Sequence, residues 1–263
     1  MRLTIKSIYD KKKKNEKIIA LTAYDFPLAR ILDEQGVDIV LVGDSLGMVL
    51  LGYKSTTPVT MRDMLHHAKA VSRAVQKALL VVDMPFGSYD TPEQALRNAK
   101  RFVKEAGADA VKLEGGRRIQ EQIQLLIASG ISVMGHLGMT PQTASQLGGY
   151  RVQGRDKEQA QEILKDALRL DELGVFSLVL ECVPLTLAEE ITDKIKCPTI
   201  GIGAGPKTDG QVLVTYDMLG FASSVHPRFV RTYVNLEAAI KRAVSGYRED
   251  VLKGRFPSKQ ESF

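Results

Sequence analysis

Short apolar runs alternate with stretches whose apolar residues recur at helical spacing, and the alternation continues through most of the chain. Residues 17–24, 38–44, 79–85, 110–116, 131–136, 176–181, 198–203 and 211–215 read as strands. Several are apolar on both faces, the pattern of strands covered by helices on each side of a parallel sheet. Helix starts are marked between them. Asp25 caps a helix running to about Gln35, Thr60 with Asp63 forms a capping box, and Thr91 is followed by Pro92 and then Gln94. Gly36, Gly107, Gly130 and Gly174 sit where helices return to strands, where glycine adopts a left-handed cap cheaply.

Eight strands alternating with helices predict an α/β protein, a closed (β/α)8 TIM barrel, rather than an open doubly wound sheet, and no dinucleotide fingerprint supports the open form. Residues 1–263 are expected to form a single barrel domain with a C-terminal helical extension over about 221–263. There Leu236, Ala239, Ile240, Ala243, Val244 and Tyr247 predict an amphipathic helix packing on the barrel or on another subunit, and 258–263 reads as a loose tail.

Composition changes this picture little. A hydrophobic share of 44% and a charged share of 25% belong to an ordinary globular domain. The formal charge of +5 falls to +1 without Lys11, Lys12, Lys13 and Lys14, so it reports one local run, read as a solvated loop before the first strand. That argues against a nucleic-acid partner. No apolar run reaches the length of a membrane span and no leader pattern opens the chain, so the expected location is cytoplasmic. Cys182 and Cys197 fall at opposite ends of neighbouring strands, too far apart for a disulfide.

Active sites of such barrels lie at the C-terminal ends of the strands. Here five successive ends carry polar groups: Asp44 with Ser45, Asp83, Lys112 with Glu114, His136, and Glu181. Lys112 and Glu114 share one face of their strand, because side chains alternate. Singly each has a plain explanation: a helix cap for either aspartate, a satisfied core histidine, an ion pair for Glu181. Together they predict a shared site. Two Asp and one Glu form an all-oxygen set suited to a hard cation such as Mg2+, and Lys112 suits a substrate carboxylate or developing oxyanion. This points to a 2-oxo acid, with Glu181 free to act as general base and His136 as a possible support. The glycines of 201–205 read equally as a tight turn or a phosphate site, and 137–155 as a lid or a surface or subunit contact.

Six runs occur in order: Gly43-Asp-Ser-Leu-Gly-Met48, Asp83-Met-Pro-Phe-Gly-Ser88, Val111-Lys-Leu-Glu-Gly-Gly116, Gly135-His-Leu-Gly-Met-Thr-Pro-Gln142, Leu180-Glu-Cys-Val-Pro184 and Pro198-Thr-Ile-Gly-Ile-Gly-Ala-Gly205. They closely resemble the ketopantoate hydroxymethyltransferase family. The resemblance implies transfer of a one-carbon unit from 5,10-methylenetetrahydrofolate to 3-methyl-2-oxobutanoate, giving 2-dehydropantoate for pantothenate synthesis. It implies Mg2+ at Asp44, Asp83 and Glu114, substrate contacts at Asp44, Ser45, Asp83 and Lys112, and Glu181 as proton acceptor. It also implies a large homo-oligomer, typically a homodecamer. Two rival readings stay open on residue chemistry alone: a Mg2+ barrel acting on a C–C bond of another 2-oxo acid, and a non-catalytic barrel that binds a keto acid.

Overall fold

The structure, a computed structural model, describes residues 2–144, 149, 151–221 and 227–263. Its first element corrects one expectation. The lysine run is not a solvated loop but the last turn of a helix, α1 (Ile5–Lys13), opened by a capping box between Thr4 and Ser7. Cations are favoured at a helix C-terminus, and two of these have acidic partners. Lys11 Nζ lies 2.7 Å from Asp38 and Lys12 Nζ 2.9 Å from Asp209. With Ile8 fully buried and the Tyr9 hydroxyl donating to the Val175 carbonyl at 3.1 Å, α1 packs at the N-terminal ends of the strands.

The barrel follows: β1 (Ile18–Thr22), α2 (Phe26–Glu34), β2 (Ile39–Val42), the short α3 (Leu46–Val49), α4 (Met61–Ser72), β3 (Leu79–Asp83), α5 (Pro92–Ala106) and β4 (Ala110–Glu114). Then come α6 (Gln120–Ala128), β5 (Ser132–Gly138), α7 (Lys157–Leu173), β6 (Ser177–Glu181), α8 (Leu185–Lys194), β7 (Thr199–Ile202) and β8 (Gly210–Leu213). All eight strands pair in parallel, each with its sequence neighbour, and β8 closes on β1. The expected barrel is the observed one.

The local signals act as read. Asp25, Thr60 and Thr91 each accept a backbone N–H three residues on, which satisfies a donor left free at the helix start. The four return glycines all have positive φ. β2, β3 and β4 are buried at every position, which is why their sequences hardly alternate. The cysteines are both free.

By its internal contacts the chain forms two compact units, Met1–Val214 and Thr215–Phe263. The second holds α9 (Thr215–Met218) and α10 (Leu236–Leu252), the helix expected from its apolar spacing. No residue of α10 is buried. The terminal residues are not wholly irregular: Ser258 and Glu261 form a capping box around a single 3-10 turn. Among the described residues no helix is long and apolar enough to cross a membrane.

Candidate active site

Parallel register brings the strand-end residues side by side. Asp83 on β3 is the register partner of Lys112 on β4, and Glu114 is the partner of His136 on β5. Lys112 Nζ lies 2.8 Å from Asp83 Oδ1, with both side chains almost fully buried. Asp83 Oδ2 accepts the Asp44 backbone N–H at 3.1 Å, which ties the loop after β2 to β3. The plain explanations for the two aspartates therefore fail. Neither carboxylate caps a helix: Thr91 caps α5, and Asp44 Oδ2 instead accepts from Gln142 Nε2 at 2.8 Å.

His136 stands between two carboxylates, its Nδ1 3.4 Å from Glu114 Oε1 and its Nε2 3.1 Å from Glu181 Oε2. It is thus no ordinary core histidine. It links the acidic cluster of β2–β4 to the residue that ends β6. β5 runs two residues past its expected end at His136, and Gly138 explains how it does so. A Cβ on Gly138 would come within 2.2 Å of the Glu181 carbonyl, so only glycine lets the two backbones meet here. Cys182, directly after Glu181, has a left-handed φ of 48°, uncommon for a residue with a Cβ. Ser45, half-buried, pairs with the Tyr24 hydroxyl at 2.8 Å rather than with a carboxylate.

Electrostatics follow from this packing. Burial, together with the charges of Asp83 and Glu114, holds the Asp44 carboxyl well above its ordinary range. Burial opposes ionisation of Glu114 as well, yet His136, Lys112 and the Gln142 N–H outweigh it and lower its pKa. For Lys112, burial favours the neutral amine, but Asp83, Glu114 and Asp44 prevail and raise its pKa. Burial and Lys112 favour a neutral His136, but Glu114 and Glu181 prevail and raise it to about 9.

Among the described residues no three His, Cys, Asp or Glu side chains stand close enough to hold a metal as they are placed. The donor chemistry nevertheless suits a hard divalent cation. Four carboxyl groups (Asp44, Asp83, Glu114, Glu181) gather around two basic groups (Lys112, His136), so acidic groups are in excess. The perturbed Asp44 carboxyl registers that excess. Buried Asp83 Oδ1, despite its nearness to Lys112, makes no hydrogen bond of good geometry. Oxygen ligands of this kind suit Mg2+.

A profile of the ketopantoate hydroxymethyltransferase family matches residues 2–259. The chain belongs to the ketopantoate hydroxymethyltransferase family. A relative in this family, 3-methyl-2-oxobutanoate hydroxymethyltransferase of Syntrophus aciditrophicus, is 56% identical over 263 residues, covering 100% of this chain and 97% of the relative. A namesake from Thermus thermophilus is 51% identical and covered end to end, 100% of each chain. Among solved structures, phosphonopyruvate hydrolase in complex with oxalate and Mg2+ superposes with a TM-score of 0.61 at 14% identity, covering 98% of this chain and 93% of the other. A 2,3-dimethylmalate lyase, a member of the PEP mutase/isocitrate lyase superfamily, gives a TM-score of 0.57 at 16% identity, covering 100% and 93%. At that identity the two structures establish the barrel fold alone.

The strand-end reading did not single out Gln142 or Tyr89. Gln142 lies in the 3-10 turn Pro141–Thr143 within the glycine-rich 137–155 segment, and its side chain is buried among the site carboxylates. Its only sequence signal is its place at the end of the 135–142 run, since it carries no charge. The lid or contact role considered for 137–155 falls partly on residues 145–148 and 150, outside the described residues. Of the 201–205 glycines, Gly201 lies within β7, where a Cβ would come within 2.7 Å of Thr208 Oγ1, and beyond the strand Gln211 Nε2 donates to the Gly205 carbonyl at 3.0 Å.

Proposed function

We propose that this chain transfers a hydroxymethyl group from 5,10-methylenetetrahydrofolate to 3-methyl-2-oxobutanoate, yielding 2-dehydropantoate for pantothenate synthesis. The observation that carries the reading is a buried carboxylate cluster around Lys112, with Glu181 held at its edge by His136. Asp44, Asp83 and Glu114 are the residues that would hold Mg2+, and Asp44, Ser45, Asp83 and Lys112 those that would meet the keto acid. When bound, the cation supplies Lewis-acid polarisation of a keto oxygen.

The chain's own residues account for the rest. Lys112, kept charged by its three carboxylate neighbours, offers a cation to the substrate carboxylate and to charge developing on the keto oxygen. Glu181 takes the proton from C3 of the keto acid, and the C–H electron pair becomes the enolate. His136 lies between Glu114 and Glu181, its Nε2 3.1 Å from the base, and so positions Glu181 at the edge of the cluster. The nucleophilic carbon then attacks the folate-borne methylene. Both C–N bonds of that methylene break, water supplies the hydroxyl group, and the proton from water and the proton taken by Glu181 go to the two folate nitrogens, releasing tetrahydrofolate. A positioned base of this kind contributes about 10²–10⁴-fold.

Both cysteines are free, which suits a cytoplasmic location. Ile240, Val244, Tyr247 and Val251 form an exposed apolar stripe on α10, spaced by three and four residues, which favours a homo-oligomer; a decamer is what the family resemblance implies. The test is turnover with purified protein. Hydroxymethyl transfer should require both the folate and a hard divalent cation, and exhaustive chelation should abolish it. Folate-independent cleavage of a 2-oxo acid would support the lyase alternative, and binding without turnover the non-catalytic one.

A further inference from the structure

Gln142 has no part in the reaction as written, yet it contacts more of the site than any single carboxylate needs. Its side-chain nitrogen donates to Asp44 Oδ2 and to the Met84 carbonyl, each at 2.8 Å. Its side-chain oxygen accepts from the Tyr89 hydroxyl, and its backbone N–H donates to Glu114 Oε2 at 3.0 Å. One residue therefore holds one oxygen of each of two carboxylates, one from the loop after β2 and one from the end of β4.

The amide fits in one orientation only. Turned over, its oxygen would face the Met84 carbonyl, which has no proton to donate. The Met84 carbonyl, which can only accept, fixes the choice; the Tyr89 hydroxyl then donates to the amide oxygen, and the Tyr89 carbonyl is held by Gln122 Nε2 at 3.2 Å. A lysine at this position would compete with a bound cation, and a glutamate would add to the excess of acidic groups. A neutral double donor orients the carboxylates without changing the charge they present.

We propose that Gln142 is a positioning residue that sets Asp44 and Glu114 for the divalent cation, with Tyr89 locking the amide in place. This rests on the reading of Asp44 and Glu114 as cation ligands. Partners that orient metal ligands typically change affinity by about 10–100-fold when removed.

The test uses Q142M, which keeps the volume and deletes the amide, and Y89F, which deletes only the hydroxyl. Mn2+ serves as the probe, with affinity and line shape read by electron paramagnetic resonance on the full chain and folding checked by near-ultraviolet circular dichroism. With D44A as the control, wild type should bind Mn2+ and D44A should not. Q142M, folded as wild type, should bind about 10–100-fold more weakly, with an altered spectrum and a matching fall in kcat/KM at fixed Mn2+. Y89F should shift the same way by less, and it decides the matter if Q142M does not fold. Should Mn2+ bind equally to wild type and D44A, the cation-ligand reading fails and this inference falls with it. If Mn2+ binding depends on Asp44 but both variants match wild type in affinity and spectrum, the positioning role alone is refuted.

Discussion

Lys112→Met gives the clearest test of how the site is held together. The substitution keeps the aliphatic stem and removes the ammonium, which lies 2.8 Å from Asp83 in a setting where the two side chains are only 6% and 4% exposed. Removing one partner of a buried ion pair costs about 3–5 kcal/mol, because it strands the opposite charge. Here it strands more than one, since Asp44 and Glu114 also act on the same lysine. At roughly 2–4 °C per kcal/mol, the melting temperature of metal-free protein should fall by roughly 6–20 °C. Because the lysine pKa is raised on folding, this contribution is present throughout the range below the ordinary lysine value. Mg2+ should restore more stability to K112M than to wild type, since a cation neutralises the carboxylates left behind. Asp83→Asn combined with Lys112→Met should recover part of the loss, a coupling read from a double-mutant cycle of thermal melts. A K112M melting temperature within about 2 °C of wild type, with no coupling to Asp83, would refute the argument.

The same cluster sets a pH dependence. His136 is raised from 6.5 to about 9, so its contribution in metal-free protein is full below about 6.5 and is lost as pH rises through about 9. Asp44, also raised, acts with the same sign, and His136→Gln should flatten the alkaline loss in urea melts across that window. An unchanged slope would mean that the ring is neutral in the fold. At the thiols, burial and the charge of Glu181 push Cys182 up to about 12, and burial with Asp171 raises Cys197 as well. Iodoacetamide should therefore label neither cysteine appreciably at pH 7 until the protein is denatured, and rapid native labelling would contradict the packing around both.

Most of the barrel was legible because its strands are buried on both faces and its helices begin at conventional caps. Asp25, Thr60 and Thr91 each announce a helix through one side-chain oxygen, and the structure uses each as read. α1 escaped notice because three of its last residues are lysines, which look like a solvated run until Asp38 and Asp209 arrive from distant sequence. The charged members of the candidate site were visible one by one at strand ends. Their pairing was less so, since it comes from register: Asp83 meets Lys112 and Glu114 meets His136 only when the parallel strands align. Gln142 was invisible to a search for charge, because an uncharged side chain reveals its part only through the groups it touches.

The central claim is that Glu181 removes the C3 proton while the Asp44, Asp83 and Glu114 carboxylates serve the cation. Glu181→Gln changes one ionisable oxygen for an amide of nearly the same shape. The decisive measurement is exchange of the C3 hydrogen of 3-methyl-2-oxobutanoate with deuterated water, followed by nuclear magnetic resonance in the presence of Mg2+. The account predicts that E181Q still binds Mg2+ and the keto acid but loses exchange by at least about 10²-fold, together with hydroxymethyl transfer. Exchange at the wild-type rate would assign the base to another group, and exchange lost together with metal binding would make Glu181 a ligand. Either result would contradict the role given to it here.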